Sequence, residues 1–135
     1  MSRSYDVAAL APLDPTDETW ALAPARRFLR DTPNQTGSFH PRSFLDAELV
    51  AQLVLDSVAD GGDLYYRPHV AAANLLRSNP ERVLSFSGAG YSETYADAEK
   101  LARAILKAGA GIDDVINELA GSVIATSVRI ASVVF

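Results

Sequence analysis

The sequence predicts a mainly α fold: a small helical bundle with a short β-hairpin or flap and extended N- and C-terminal arms. Three observations lead there. Between residues 43 and 121 apolar side chains recur at three- and four-residue spacing, so that each segment presents one stripe to a core. Five of the seven prolines (Pro12, Pro15, Pro24, Pro33 and Pro41) lie within residues 1–42. Each removes an amide donor and biases the residue before it away from helix, which predicts an irregular arm. Finally, residues 122–135, SVIATSVRIASVVF, are rich in β-branched side chains and hold neither proline nor glycine, as a strand would. The chain therefore divides into a proline-rich arm (1–42), a helical core (43–121) with a hairpin near 83–95, and a strand-like arm (122–135).

Composition bounds the function classes. A chain of 135 residues is about one domain and long enough to bury a core. A formal net charge of -5 argues against a protein that grips phosphates by bulk electrostatics. With no cysteine there are no disulfides and no thiolate sites. The opening MSRSYDVAAL lacks the apolar core of a signal peptide, and no apolar run reaches the roughly 18 residues that span a bilayer. The expectation is a soluble protein without a membrane partner.

In the N-terminal arm, Trp20, Leu22, Phe28 and Leu29 are too apolar for a solvated tail and should dock on the body or on a neighbour, while 31–37 (DTPNQTG) reads as an exposed loop. Ser43, with Asp46 three residues on, is placed to cap a helix over 44–58. Its apolar residues, Phe44, Leu45, Leu49, Val50, Leu53, Val54, Leu55 and Val58, cover more than half of the circumference. Two readings follow: a central helix packed on two sides within one subunit, or one side for the core and the other for a neighbouring subunit. Asp60-Gly61-Gly62-Asp63 turns the chain. A second helix is expected from Pro68, comfortable in a first turn, to Ser78. Either Tyr65 and Tyr66 form the entry to that turn, or the helix starts earlier and carries a kink; Asn79-Pro80 is its stop.

The stretch from Glu81 to Lys107 combines two periods. Val83, Ser85 and Ser87 alternate with Leu84 and Phe86, then Gly88-Ala89-Gly90 punctuates, which predicts a hairpin or flap over 83–95. Thr94 and Asp97 suggest a cap. Tyr95, Ala98, Leu101, Ala102, Ile105 and Leu106 then form a helical stripe, and Gly109 and Gly111 end it. Ile112, Val115, Ile116 and Leu119 predict a short helix with Asp113 and Asp114 at its start and Gly121 at its end. The terminal strand candidate needs a pairing partner, because an unpaired apolar edge invites aggregation. That partner is the 83–95 hairpin or a strand of another subunit.

No chemistry stands out. His40 and His69 lack companions at metal-ligand spacing. Gly88-Ala89-Gly90 lacks the further elements of a dinucleotide or phosphate loop, and turn glycines explain it better. Ser57, Asp63 and His69 hold the ingredients of a hydrolase triad without a nucleophile elbow. Asp113-Asp114 reads as a helix start. Tyr65 and Tyr66 could stack on bases, but no basic groove accompanies them, and contacts to protein are the better reading. No catalytic, cofactor-binding or metal residue is assigned, and the protein is expected not to be an enzyme.

From Phe44 to Lys107 the order of parts resembles the small head–tail connector, or adaptor, proteins of tailed bacteriophages. The corresponding residues are DAELVAQLVLDSVADGGDLYYRPHVAAANLL, then ERVLSFSGAGYSETYADAEKLARAILKAGA. The first resembles their helix, turn and alanine-rich helix; the second resembles their glycine-containing flap and amphipathic helix. The resemblance covers about half of the chain and excludes both arms. It implies a structural virion protein of the neck, found in host cytoplasm during assembly. It further implies a homo-oligomeric ring, twelve-fold in the family, between portal protein and tail or stopper proteins, with DNA only as passing cargo. Residues expected to make protein contacts are Trp20, Phe28, Leu49, Leu53, Tyr65, Tyr66, Phe86, Tyr91, Ile124, Val128, Ile130 and Phe135. The rival classes are a helical interaction or regulatory subunit with no virion role, and a small enzyme using Asp63 or His69.

Overall fold

Ala71, Ala72 and Ala73, in the middle of PHVAAANLLRS, are at most 1% exposed, and the rest of the molecule packs around them. Residues 2–6, 13–86 and 95–121 are described by the structure, a computed structural model. Their elements are α1 (Glu18–Leu29), α2 (Asp46–Leu55), β1 (Val58–Asp60), β2 (Asp63–Tyr65), α3 (Pro68–Ser78), α4 (Pro80–Phe86), α5 (Tyr95–Ala108) and α6 (Ala110–Ala120). The predicted class holds: mainly helical, with one small antiparallel hairpin. Helix α3 is the centre because its small side chains let α1 and α5 approach closely from different sides. Helix α2 packs on α1 and α3, α4 on α3 and α5, and α6 on α5.

Helix α1 corrects the expectation of an irregular arm. Asp17 caps it by accepting from the Thr19 N–H, and Arg30 closes it in the left-handed conformation (φ 58°). Pro24 sits inside and denies the Trp20 carbonyl its partner, a cost of about 3 kcal/mol. Ala21, Ala25 and Leu29 are buried along one face, and Trp20 is buried in a second cluster on the other side. Burial of large apolar groups at roughly 1.5–3 kcal/mol each outweighs the proline. The helical spacing of these apolar residues prevails over the proline that interrupts it. Residues 2–6 are also tied down: the Arg26 Nε donates to the Ser4 carbonyl (2.7 Å), and the Asp46 N–H donates to that of Ser2 (2.9 Å).

Helix α2 is shorter than the expected 44–58 and does not use Ser43 as its cap. Ser43 is buried beneath Arg26, and Glu48 instead reaches back to accept from the Leu45 N–H (2.9 Å). The residues beyond α2 form the hairpin, paired Val58 with Tyr65, Ala59 with Leu64 and Asp60 with Asp63. Gly61 and Gly62 both have positive φ (59° and 88°), the two-residue turn whose twist suits a tight hairpin.

The hairpin therefore lies at 58–65, and the expected one near 83–95 is corrected in its first part. Residues 80–86 are helical, with Pro80 in the first turn and Val83 buried. A short apolar run such as VLSF fits either period, and packing on α3 decides it. Residues 87–94, with Gly88-Ala89-Gly90, Tyr91 and the expected Thr94 cap, lie outside the described residues, as does the strand expected over 122–135. Gly111 is also corrected: it belongs to α6 and ends nothing, whereas Gly109 alone separates α5 from α6. Gly121 closes α6 in the left-handed conformation (φ 70°), as its sequence position predicts.

Candidate functional site

Of the twelve residues expected to meet a partner, seven are described by the structure, and five of those are buried in the subunit's own core. Trp20, Leu53, Tyr65 and Tyr66 are buried in one cluster with Ile112 and Ile116; Leu49 is buried in the other with Phe44 and Leu76. The assignment of these five as partner contacts is corrected on that ground: large apolar residues fill the interior first. Phe28 and Phe86 are half-buried. The Phe86 ring stands edge-on to Phe44, with centroids 5.9 Å apart, and 6.1 Å from His40. Tyr91, Ile124, Val128, Ile130 and Phe135 lie outside the described residues.

Two other apolar surfaces are left to solvent. The first is a groove of about 570 Å³ between α1 and α5, which both rest on α3. Trp20, Pro24 and Phe28 form one wall, Leu101, Ala104, Ile105 and Ala108 the other, with Leu76, Val83 and Ile112 between them. The walls are apolar, but the C-terminal end of α1 adds Arg27 and Arg30, both exposed. On α5 the exposed Lys100 and Lys107 flank Ala104 at helical-neighbour spacing. In a chain of net charge -5 the groove has a basic rim. At its other end Asp14 and Asp17 are engaged in local caps to Thr16 and Thr19.

The second surface is the outer side of α2. At 100° per residue Leu49 and Leu53 point inward, and Ala47, Ala51, Val54 and Leu55 share the opposite side. Val54 is 45% and Leu55 75% exposed. The hairpin continues from the same end of α2, carrying Leu64 (40% exposed) and the exposed pair Asp60 and Asp63. Of the two sequence readings of this helix, packing on two sides within one subunit does not match the burial, because one side lies in the core and the other is exposed. The over-wide apolar stripe was the signal. The groove had no such signal, because it joins residues about 75 positions apart in sequence.

The titratable groups are arranged as braces. Arg26, wholly buried, donates to Asp31 (3.0 Å) and Asp46 (2.8 Å) and so ties α1 to the start of α2. Burial alone would raise the Asp46 carboxyl, but hydrogen bonds from Arg26 and Ser4 outweigh it and hold it below its usual range. Arg82 forks onto both Glu48 oxygens (2.7 and 2.8 Å) and lies over the Phe44 ring (4.0 Å). Its hydrogen bonds pull the Glu48 carboxyl down to about 2 against the opposing effect of burial. Burial, with Glu18 nearby, raises the Tyr66 phenol. Asp56 accepts from Gln52 and Asn74, joining α2 to α3.

The triad ingredients are not brought together as a site. His69 is fully buried and its Nε2 meets Asp113 Oδ2 at 3.0 Å, while its Nδ1 has no partner among the described residues. Asp63 lies exposed on the hairpin, and Ser57 Oγ donates to the Val54 carbonyl. His69 and Asp113 pin the start of α3 to the start of α6. Among the described residues no three His, Asp or Glu side chains gather to hold a metal ion. No helix among them is long and apolar enough to cross a membrane.

Comparison with protein-family models, with curated proteins and with solved structures gave no match.

Proposed function

We propose that this chain is a structural assembly subunit that forms an oligomeric ring of the head–tail connector type, joining a phage capsid to its tail while DNA passes. The observation that carries the reading is the pair of separate apolar surfaces, the α1/α5 groove and the outer side of α2, which share no residue. Two different patches on one small body are what head-to-tail assembly requires, and closure of such contacts makes a ring. The sequence resemblance over residues 44–107 supplies the connector class. It departs from the pattern at 83–86, where α4 replaces the first part of the flap. The acidic balance suits a channel lining, since like charge keeps passing DNA from sticking. Catalysis plays no part in this function.

The test is assembly. The purified full chain, examined over a range of concentrations by light scattering after size exclusion and by negative-stain electron microscopy, is expected to give annular particles. A strict monomer or dimer at the highest concentration would sink the ring and favour a regulatory or interaction subunit. Coding sequences for portal and capsid proteins beside this one would support the phage assignment independently of the ring.

A further inference from the structure

The groove and the α2 side are complementary as well as separate. One is concave, apolar and rimmed with Arg27 and Arg30; the other is convex, apolar and continues into a hairpin carrying Asp60 and Asp63. We propose that the α1/α5 groove of one copy receives the outer side of α2 from a second copy, with Val54 and Leu55 as the inserted side chains. This deepens the assembly reading above and rests on it.

Three features select a second copy as the occupant. Charge is the first. The side chains of Asp60 and Asp63 make no hydrogen bond or ion pair among the described residues, and neither does the Arg27 guanidinium. Opposite charges at two such rims steer association and fix its direction. Length is the second: Ala47 to Leu55 spans about 12 Å at 1.5 Å per residue, and Trp20 to Arg27 spans about 10 Å. Direction is the third. Arg27 and Arg30 mark the C-terminal end of α1, and the hairpin marks the C-terminal end of α2, so the incoming α2 lies parallel to α1 with its acidic tip against Arg27. An amphipathic helix in an apolar groove is a standard mode of recognition, read here through Ala47, Ala51, Val54 and Leu55 at i, i+4, i+7 and i+8. A groove lacking α2 residues and an α2 side lacking groove residues allow each copy to give and receive at once. The contact is therefore heterologous and propagates.

The experiment uses two substitutions at exposed positions of the full chain, Leu55→Asp on α2 and Ala104→Glu in the groove wall. Sedimentation velocity measures assembly, and thermal unfolding confirms that each variant remains folded. Each variant alone should lose self-association, its dissociation constant rising on the order of 100-fold. Mixed, they should form a one-to-one dimer and stop there, because the Leu55→Asp copy keeps its groove and the Ala104→Glu copy keeps its α2 side. Arg27→Glu should weaken assembly, and combining it with Asp60→Arg and Asp63→Arg should restore it.

An oligomer indifferent to both Leu55→Asp and Ala104→Glu overturns this pairing while leaving the ring reading intact. A wild-type monomer overturns both. Mixed variants that fail to associate although each is folded also overturn the pairing. If deletion of residues 122–135 abolishes assembly while Leu55→Asp does not, the C-terminal segment is the occupant and the proposal fails.

Discussion

Gly109 offers the sharpest test of the packing around α3. It separates α5 from α6 with φ -91° and ψ 5°, which other residues can adopt, so its backbone alone does not demand glycine. The demand is steric. A methyl group added there would overlap Cβ and Cγ of His69 and stand 2.7 Å from its Cδ2. Carbon atoms rest at about 3.5–4.0 Å, so relief requires a shift of about 1 Å or more. His69 is fully buried and held at 3.0 Å by Asp113, so its ring cannot withdraw without losing that bond. Overpacking costs about 1–3 kcal/mol and the strained hydrogen bond about 1 more. Gly109→Ala is therefore expected to lose about 3 kcal/mol, or roughly 10 °C of Tm for a chain of this size. The matched control is Gly111→Ala, two residues on and inside α6, where an added methyl meets nothing within 4 Å. That change should stabilise by about 0.5–1 kcal/mol through helix propensity. Urea and thermal unfolding followed by far-UV circular dichroism measure both. In a His69→Gly background, which removes Cβ as well as the ring, the Gly109→Ala penalty should shrink. Equal stability of the two alanine variants, or a gain at Gly109, would refute the close approach of α3 to the α5–α6 corner.

The Glu48–Arg82 fork should make stability depend on pH. The folded carboxyl sits at about 2 against an ordinary 4.5, so its contribution is full above pH 4.5 and fades as pH falls toward 2. That shift corresponds at face value to roughly 3 kcal/mol. With Glu48 38% and Arg82 26% exposed, solvent screening leaves about 1 kcal/mol. Glu48→Gln should accordingly trail the wild type by about 1 kcal/mol at pH 7 in urea unfolding, with the gap narrowing below about pH 4.5 and closing only near pH 2; a pH-independent gap would show that the pairing is not the cause. Arg26→Ala should cost about 3–5 kcal/mol, because it strands the buried Asp31 carboxylate without its cation. A midpoint within experimental error of the wild type would mean that water or rearrangement replaces Arg26.

The sequence by itself determined the class, the four helices from α2 to α6 whose stripes are regular (α2, α3, α5 and α6), and their stops at Asn79-Pro80 and Gly121. These are local matters: periodicity and end signals act within a turn or two of the chain. It also carried the excess apolar width of α2, which is visible in one helix considered alone. What it could not decide were the places where a distant surface outweighs a local preference. Pro24 argues against α1 locally, and only the burial of Trp20, Ala25 and Leu29 against α3 reverses that. VLSF fits a strand or a helix until α3 receives Val83. Gly109 looks like a helix stop, but its steric reason is a histidine forty residues earlier. The groove is the extreme case. Its walls come from α1 and α5, neither of which signals it, and it exists because a run of alanines holds both helices to α3 without bringing them together.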